Sequence, residues 1–399
     1  VKRLAIVVQR CHESVVGGSE SLAWQYARLL SSAFEVEVLT STATDYMRWD
    51  NALPEGETQR EGIVVRRFKV ERGRTPYWFQ LHARLLRRHA ERAAEPPASR
   101  IGWTPALDDE FVRAQGPWCP ALEAYLRAQH ERFAAIMFCT YLYPTTHFGA
   151  SAVPTGKRIF VPTLHDEPTA YLGSFRDRAA GFPHIIWLTE SERQVAARLW
   201  GRSDGTVIGM AVDQIRAVAR EARRRPYLLY CGRIEQGKGC DRLLSAWRRL
   251  RRRTGVDAEL VLTGAKSMRL PWWRRDVRFL GFVDEARKRA LMAGAAAFVL
   301  PSQYESFSIV TLEAMAQGTP VIVNADCTVM DEHIRRSGAG VAFRGDEELE
   351  HAMGAALVRD LAERSRLGKA GQQYVSERYG EARVRAALVE TVRGVTEAA

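Results

Sequence analysis

The chain has 399 residues, of which 46% are hydrophobic and 26% charged, the balance of a globular protein of about two domains. Disorder, collagen-like repetition and a small disulfide-stapled scaffold are excluded, and no apolar run approaches the roughly 20 residues of a membrane-crossing helix. The formal charge of +11 suits nucleic acid, an anionic membrane surface or anionic small substrates, but basic runs alternating with leucine equally suit an ordinary solvated helix face. Six cysteines (Cys11, Cys119, Cys139, Cys231, Cys240 and Cys327) show no CxxC or knuckle spacing. They point to a reducing, cytoplasmic compartment and away from structural zinc.

The opening VKRLAIVVQRCHESVVGGSE lacks a small-residue cleavage site and runs into a glycine loop. It reads as a first buried strand rather than a signal peptide. The short apolar runs LAIVV, VEVLT, IVVRRF, AAIMFC, RIFVPTL and IIWLT are separated by amphipathic stretches such as SLAWQYARLLSSA. That alternation predicts βαβ units and a parallel sheet covered on both faces. Residues 71–120 are aromatic, arginine-rich and broken by Pro96, Pro97 and Pro105, which marks an insertion, helical in part. The polar stretch 213–226 closes on a proline and is the expected linker. A second series runs PYLLYCGRI, helix DRLLSAWRRLRRR, strands AELVLTG and VRFLGFV, helix ARKRALMAGA, strand AAFVLP, helix FSIVTLEAMAQ and strand PVIVN. The expected division is a domain at 1–215 carrying the insertion, a second at 216–378, and a C-terminal helix at 379–399 returning to the first.

Three strand-to-helix turns carry the chemistry. After LAIVVQ, Gly17 and Gly18 leave backbone N–H groups uncovered and Ser19 is placed to cap the next helix. A bare helix N-terminus attracts phosphate or another anion, although a plain turn has the same look. The spacing is neither GxGxxG nor Walker A. Next, CGRIEQGKG puts Arg233 and Lys238 in a loop beyond the carboxyl end of a strand, where ligands bind in doubly wound sheets. Two cations there suit a diphosphate that gains charge as it leaves; two solvated surface cations are the plain reading. Third, PSQYESFSIVTLEAMAQG places Glu305 before a helix expected over 307–317. Glu313 then lies about 9 Å along that helix at roughly 1.5 Å per residue. The amides of Ser306, Phe307 and Ser308 fall between the two carboxylates. A nucleotide sugar has the same order of parts: hydroxyls for Glu305, diphosphate for the amides and positive helix end, ribose for Glu313.

In this order, the GG-S-E loop, TLHDEP, LTESERQVAARLWG with VIGMAVD, CGRIEQGKG, FLGFV and the E-x7-E pair resemble the family-4 (group 1) retaining nucleotide-sugar glycosyltransferases. The resemblance covers most of the chain. It implies an α/β fold of GT-B type, two doubly wound Rossmann-like domains facing a central cleft, with the acceptor on the first and the donor on the second. It implies that Arg233 and Lys238 bind the donor diphosphate, that Glu313 holds the ribose, and that Glu305, Ser306, Phe307 and Ser308 contact the sugar. Gly281, Phe282 and Val283 would offer backbone groups to the nucleobase. Gly17 and Gly18 would close over diphosphate and sugar, and His165 of HDEP would lie near the donor sugar. Glu305, His165, Arg233 and Lys238 are the expected catalytic set. The chain departs from the family pattern at Ser308, where glycine is usual, at Gly209 and Ala211, and at NADCTVMDE, where a glycine pair is customary. These departures bear on donor identity more than on fold.

The implied reaction moves a hexose from a nucleotide diphosphate, UDP-hexose by default and GDP-mannose close behind, to an acceptor hydroxyl with retention. Bacterial polysaccharide, glycolipid or glycosylated-metabolite synthesis is the expected setting. No DxD-like acidic pair stands out, so neither a metal nor another cofactor is expected. The acceptor (saccharide, lipid-linked or small molecule) is left open. The basic stretch 78–100 suits an anionic membrane surface if the acceptor is lipid-linked, which would place the chain peripherally at the inner face of the membrane. The rival readings are a GT-B phosphorylase, a sugar-nucleotide epimerase and, from another class, a basic polyanion-binding protein. A ribose carboxylate at Glu313 speaks against the phosphorylase. The lack of a nucleic-acid module speaks against the last, and no nucleic-acid partner is expected.

Overall fold

Apolar runs of four to seven residues, rich in β-branched side chains, are too short for buried helices and become strands covered on both faces. The computed structural model describes residues 1–15, 17–215, 219–221, 223–270 and 275–398. Val16 of the glycine loop, and 216–218 and Ala222 of the expected linker, lie outside the described residues. The chain forms two compact units, Val1–Met210 with Val384–Ala399, and Ala211–Arg383.

The first unit opens with β1 (Arg3–Val7), α1 (Gly18–Leu30) and β2 (Glu35–Ser41). A hairpin of β3 (Gly56–Arg60) and β4 (Ile63–Phe68) turns through Glu61 and Gly62 at φ of 50° and 79°, the positive values of a type I′ turn. The expected insertion at 71–120 is helical in part, with α2 (Pro76–Glu91), α3 (Pro97–Arg100) and α4 (Pro105–Gln115), and α5 (Pro120–Gln129) follows at its end. Prolines that look like breaks in the sequence are the first residues of these helices, where a missing N–H costs nothing. Thr75 and Thr104 cap two of them, accepting from Trp78 N and Leu107 N. The unit continues through β5 (Ala135–Cys139), α6 (Pro144–His147), β6 (Arg158–Val161), α7 (Gly173–Ala180), β7 (His184–Trp187), α8 (Glu190–Trp200) and β8 (Thr206–Val207).

Among the described residues its strand order is β3-β4-β2-β1-β5-β6-β7-β8. β1 pairs in parallel with β2 (Ile6 opposite Val38) and with β5 (Ile6 opposite Met137). Strand order therefore reverses between β1 and β5, and the loops diverging there leave a crevice at the carboxyl ends. The expectation of a parallel sheet fails at β3, which is antiparallel to β4. Its sequence GETQR is polar and mostly exposed, so it blunts the sheet edge.

The second unit contains β9 (Tyr227–Cys231), α9 (Cys240–Thr254), β10 (Glu259–Thr263), β11 (Val277–Phe279), α10 (Glu285–Gly294) and β12 (Ala297–Leu300). After them come α11 (Ile309–Ala316), β13 (Val321–Asn324), α12 (Thr328–Ser337), β14 (Gly340–Phe343), α13 (Gly345–Val358) and α14 (Leu361–Tyr379). The strand order among the described residues is β11-β10-β9-β12-β13-β14, parallel throughout, with its reversal between β9 and β12. The arginine run of α9 meets the chain's own acids: Arg249 and Arg253 reach Glu350 at 3.2 and 2.8 Å, and Arg242 reaches Asp346 at 2.5 Å. Three arginines of this helix are thus tied to acids of the same unit. The last helix, α15 (Glu381–Ala398), counts with the first unit from Val384 onward. Its Val384, Leu388, Val392 and Val395 are buried, and Lys2 Nζ donates to Thr396 O at 2.5 Å.

One buried carboxylate ties two loops of the first unit together. Thr189 caps α8 by accepting from Glu192 N, which turns the Glu192 side chain inward. There it accepts from Leu164 N at 2.7 Å, past β6, and from Leu188 N at 2.5 Å, past β7. Burial pushes Glu192 up to about 7, against the lowering effect of these amides. Because that value lies above the ordinary carboxylate range, the protonated acid favours the fold, and its contribution is lost as pH rises through 7. Glu192→Gln puts an NH2 where one amide needs an acceptor and is expected to cost about 1–3 kcal/mol at pH 5. Thermal melts from pH 5 to pH 8 should show the wild-type advantage narrowing as pH rises.

Candidate functional site

In the second unit the reversal of strand order puts two loops side by side, 232–239 after β9 and 301–308 after β12. The first is a single tight turn, Gln236–Lys238, ending at Gly239 with φ of 72°. A Cβ at Gly239 would stand 2.8 Å from Pro301 O, so a residue without a side chain is needed for the loops to approach. Across the junction Lys238 Nζ donates to Glu305 Oε1 at 2.8 Å. The structure therefore joins the expected diphosphate lysine directly to the expected sugar carboxylate. Arg233 Nη1 lies 3.3 Å from Glu235 Oε1.

The helix expected over 307–317 is shorter, Ile309–Ala316, because Ser308 adopts φ 58°, ψ 54°. This left-handed conformation favours glycine, which is the residue the family pattern places here. Ser308 is buried, and its Oγ lies 2.8 Å from Thr311 Oγ1. Glu313, on the flank of α11, pairs with Lys288 Nζ at 3.0 Å, and Lys288 also meets Glu285 at 2.9 Å. Burial raises the Glu313 pKa, opposed by Lys288. Gly281, Phe282 and Val283 lie just past β11, two strands from β9. Gly281 O accepts from Gly264 N at 2.8 Å, and Phe282 is 71% exposed.

Sequence reasoning missed what holds the 305–308 loop. His333 of α12 is fully enclosed, with Nε2 2.9 Å from Phe307 O and Nδ1 2.9 Å from Tyr374 OH. Burial lowers its pKa and keeps the ring neutral. A carbonyl only accepts, so Nε2 carries the proton and Nδ1 accepts from the tyrosine. Tyr379 closes the cluster edge-on against Phe307 at 5.1 Å. The signal available was a histidine seven residues past NADCTV's Asn-Ala-Asp, in a stretch that looked only like a departure from pattern.

In the first unit α1 begins at Gly18 with Gly17 as its cap residue, and the expected Ser19 cap is absent. Ser19 Oγ instead donates to Glu20 Oε2 at 2.9 Å and accepts from Gln9 Nε2 at 2.8 Å. Glu20 folds back beneath the loop, accepting from Arg10 Nε at 2.8 Å and Gln9 Nε2 at 3.0 Å. A Cβ on Gly17 would fall 2.1 Å from Glu20 Oε2. Arg10 Nη1 donates to Thr44 O at 2.7 Å, fastening β1's loop to β2's. His165 lies in the loop four residues past β6, its Nδ1 3.6 Å from Glu167 Oε1. Burial raises the Glu167 pKa, but His165, Tyr141 and Thr169 together hold it below the ordinary value. The Glu20 and Arg10 brace was not foreseen, although Glu20 stands in the quoted GG-S-E.

Residues 211–374 match the family model described as glycosyl transferases group 1. The second unit belongs to that family. A glycogen synthase of Mycobacterium tuberculosis (strain CDC 1551) is 36% identical over 137 residues, 31% of this chain and 32% of the relative. A GDP-mannose-dependent alpha-(1-6)-phosphatidylinositol dimannoside mannosyltransferase of M. tuberculosis (strain H37Ra) is 27% identical over 205 residues, 48% of this chain and 53% of the relative. The chain thus spans between a third and about half of these relatives. Sucrose-phosphate synthase from Thermosynechococcus elongatus superposes with a TM-score of 0.71 over the whole of both chains at 17% identity. Anabaena HepE, solved with UDP and glucose, gives 0.69 at 15% identity, covering 99% of this chain and all of its own. The fold is that of the GT-B glycosyltransferases, with two parallel-sheet units.

Ser308→Gly in this group 1 unit relieves the left-handed strain and is expected to raise the unfolding midpoint, on the order of 1 kcal/mol less the lost Thr311 contact. Ser308→Val is expected to lower it, and denaturant melts of both variants check the pair.

Proposed function

We propose that the chain is a retaining glycosyltransferase that takes a nucleotide diphosphate sugar as donor and needs no metal. The observation that carries this reading is the Lys238 to Glu305 pair, built by the two loops at the strand-order reversal. Breaking the bond between the anomeric carbon and the β-phosphate oxygen leaves charge on the diphosphate and makes the sugar oxocarbenium-like. Lys238, Arg233 and the first amides of α11 then stabilise the leaving group, and Glu305 orients sugar hydroxyls beside it. The acceptor oxygen attacks from the face the diphosphate is leaving, and its proton passes to a phosphate oxygen. Glu313 takes the ribose hydroxyls, and its pairing with Lys288 opposes the effect of burial on its carboxylate. Gly281, Phe282 and Val283 serve the nucleobase. Gly17, Gly18 and His165 keep the roles toward diphosphate and sugar that the family resemblance gives them. A UDP-hexose and GDP-mannose are the donors to compare, since the curated relatives include both a glycogen synthase and a GDP-mannose-dependent enzyme.

Thermal shift with a panel of nucleotides and nucleotide sugars reads donor choice, because a ligand that binds only the folded state raises the melting temperature. Lys238→Ala is expected to weaken UDP or GDP binding roughly tenfold or more. Glu305→Ala frees Lys238 from its carboxylate, so nucleotide binding should hold or tighten while transfer falls about a hundredfold. Unchanged transfer in Glu305→Ala would refute the site.

A second surface bears on the acceptor. No helix among the described residues is long and apolar enough to cross a membrane. On α2, Leu81 and Leu85 are buried, while Phe79, Ala83, Leu86 and Ala90 form an outward stripe at helical spacing, with Phe79 50% and Leu86 42% exposed. Arg84 and Arg87 flank it. An exposed aromatic and aliphatic stripe beside arginines fits an anionic lipid surface, and we assign α2 that role. Sedimentation with phosphatidylglycerol vesicles should be lost in the Phe79→Asp, Leu86→Asp variant. Equal sedimentation of that variant would remove the assignment.

A further inference from the structure

The carboxyl ends of the first unit's strands bring together a group that the donor reading does not use. Arg74 lies six residues past β4, just before α2. Its guanidinium carbon sits 4.3 Å over the Trp78 ring, which is stacked in turn on His82 at 4.6 Å and anchored by Nε1 donating to Gln115 Oε1 at 3.2 Å. Tyr143, past β5, lies within electrostatic reach of Glu20, Arg74, Arg10 and Glu167. Arg74 therefore belongs to the same patch as the glycine-loop brace and the His165 loop.

Of the four charged groups around Tyr143, Glu20, Arg10 and Glu167 are matched and Arg74 is not. Arg10 is committed to Glu20, and Glu167 to Tyr141 and His165. Asp45, near Arg74, accepts through Oδ1 from Met47 N and Arg48 N. Among the described residues no carboxylate comes within ion-pair distance of Arg74. Its Nε is buried without a hydrogen-bond partner, and Nη1 meets only the Met47 thioether at 3.2 Å, a weak acceptor. Burial lowers the Arg74 pKa, yet a guanidinium stays charged at any physiological pH. A largely enclosed, permanently charged fork without a carboxylate partner is costly, and the Trp78 ring lies against it before any ligand arrives.

We propose that Arg74 anchors an anionic group of the acceptor, a phosphate or a carboxylate, with Trp78 as its positioning residue. Both anions match the guanidinium fork with paired hydrogen bonds. The proposal rests on the glycosyltransferase reading for the word acceptor, but the anion site itself does not. It makes the acceptor a charged sugar or a phosphorylated molecule rather than a neutral saccharide.

The test titrates the full chain by calorimetry with four probes: inorganic phosphate, glucose 6-phosphate, glucuronate and glucose. The proposal expects wild type to bind at least one anionic probe roughly tenfold or more tighter than glucose, with that preference lost in Arg74→Gln and partly kept in Arg74→Lys. Glucose 6-phosphate against glucuronate separates the two anion sources. Melting curves confirm that the variants fold, and UDP titrations report the donor site separately. Intact UDP binding with no anion preference in wild type, or a preference unchanged in folded Arg74→Gln, overturns the acceptor site and leaves the donor reading standing. Loss of UDP binding in wild type with the Arg74-dependent preference intact overturns the donor reading alone.

Discussion

The second unit's chemistry depends on two backbones coming closer than side chains usually permit. Gly239 and Pro301 meet at a distance no Cβ would tolerate, and only because they meet do Lys238 and Glu305 share a hydrogen bond. Topology brings the loops to the same end of the sheet, since β9 and β12 are neighbours at the point where connections diverge. Composition then does the rest: one glycine removes the steric barrier, and opposite charges fill the space. Neither charge has to be buried without a partner while the donor is absent.

Support for that junction comes from behind. The neutral ring of His333 holds the Phe307 carbonyl, and Tyr374 and Tyr379 hold the ring. Ser308 is thereby kept in a conformation it would not choose, and α11 starts two residues later than periodicity suggests. The first unit uses the same device with different residues. Glu20 and Arg10 lie under the glycine loop, and Glu192 lies under the loops after β6 and β7. In each case a polar side chain satisfies backbone or side-chain groups that solvent cannot reach.

Much of this was legible in sequence because it follows from local patterns. Apolar runs bounded by glycine and proline gave the alternation of strand and helix, and the spacing from Glu305 to Glu313 put one acid before a helix and the other on its flank. What was not legible depends on partners distant in sequence. Nothing near Lys238 announces Glu305, 67 residues on. Nothing near Phe307 announces His333. The antiparallel β3 was hidden because GETQR has no apolar alternation, and the helix starts at Pro76, Pro97, Pro105 and Pro120 were hidden because proline reads as a stop. The arginine runs decided nothing by themselves for a related reason: a charge seen along one helix says nothing of Glu350 or Asp346 a hundred residues away.

The closing helix has a consequence for dissecting the chain. Val384, Leu388, Val392 and Val395 supply apolar surface that the amino-terminal unit buries. A fragment stopping at Met210 would leave that seam wet, and one starting at Ala211 would carry a greasy stripe with nothing to cover it. Separate expression of the halves therefore needs the tail spliced onto the first piece, or supplied in trans as a peptide.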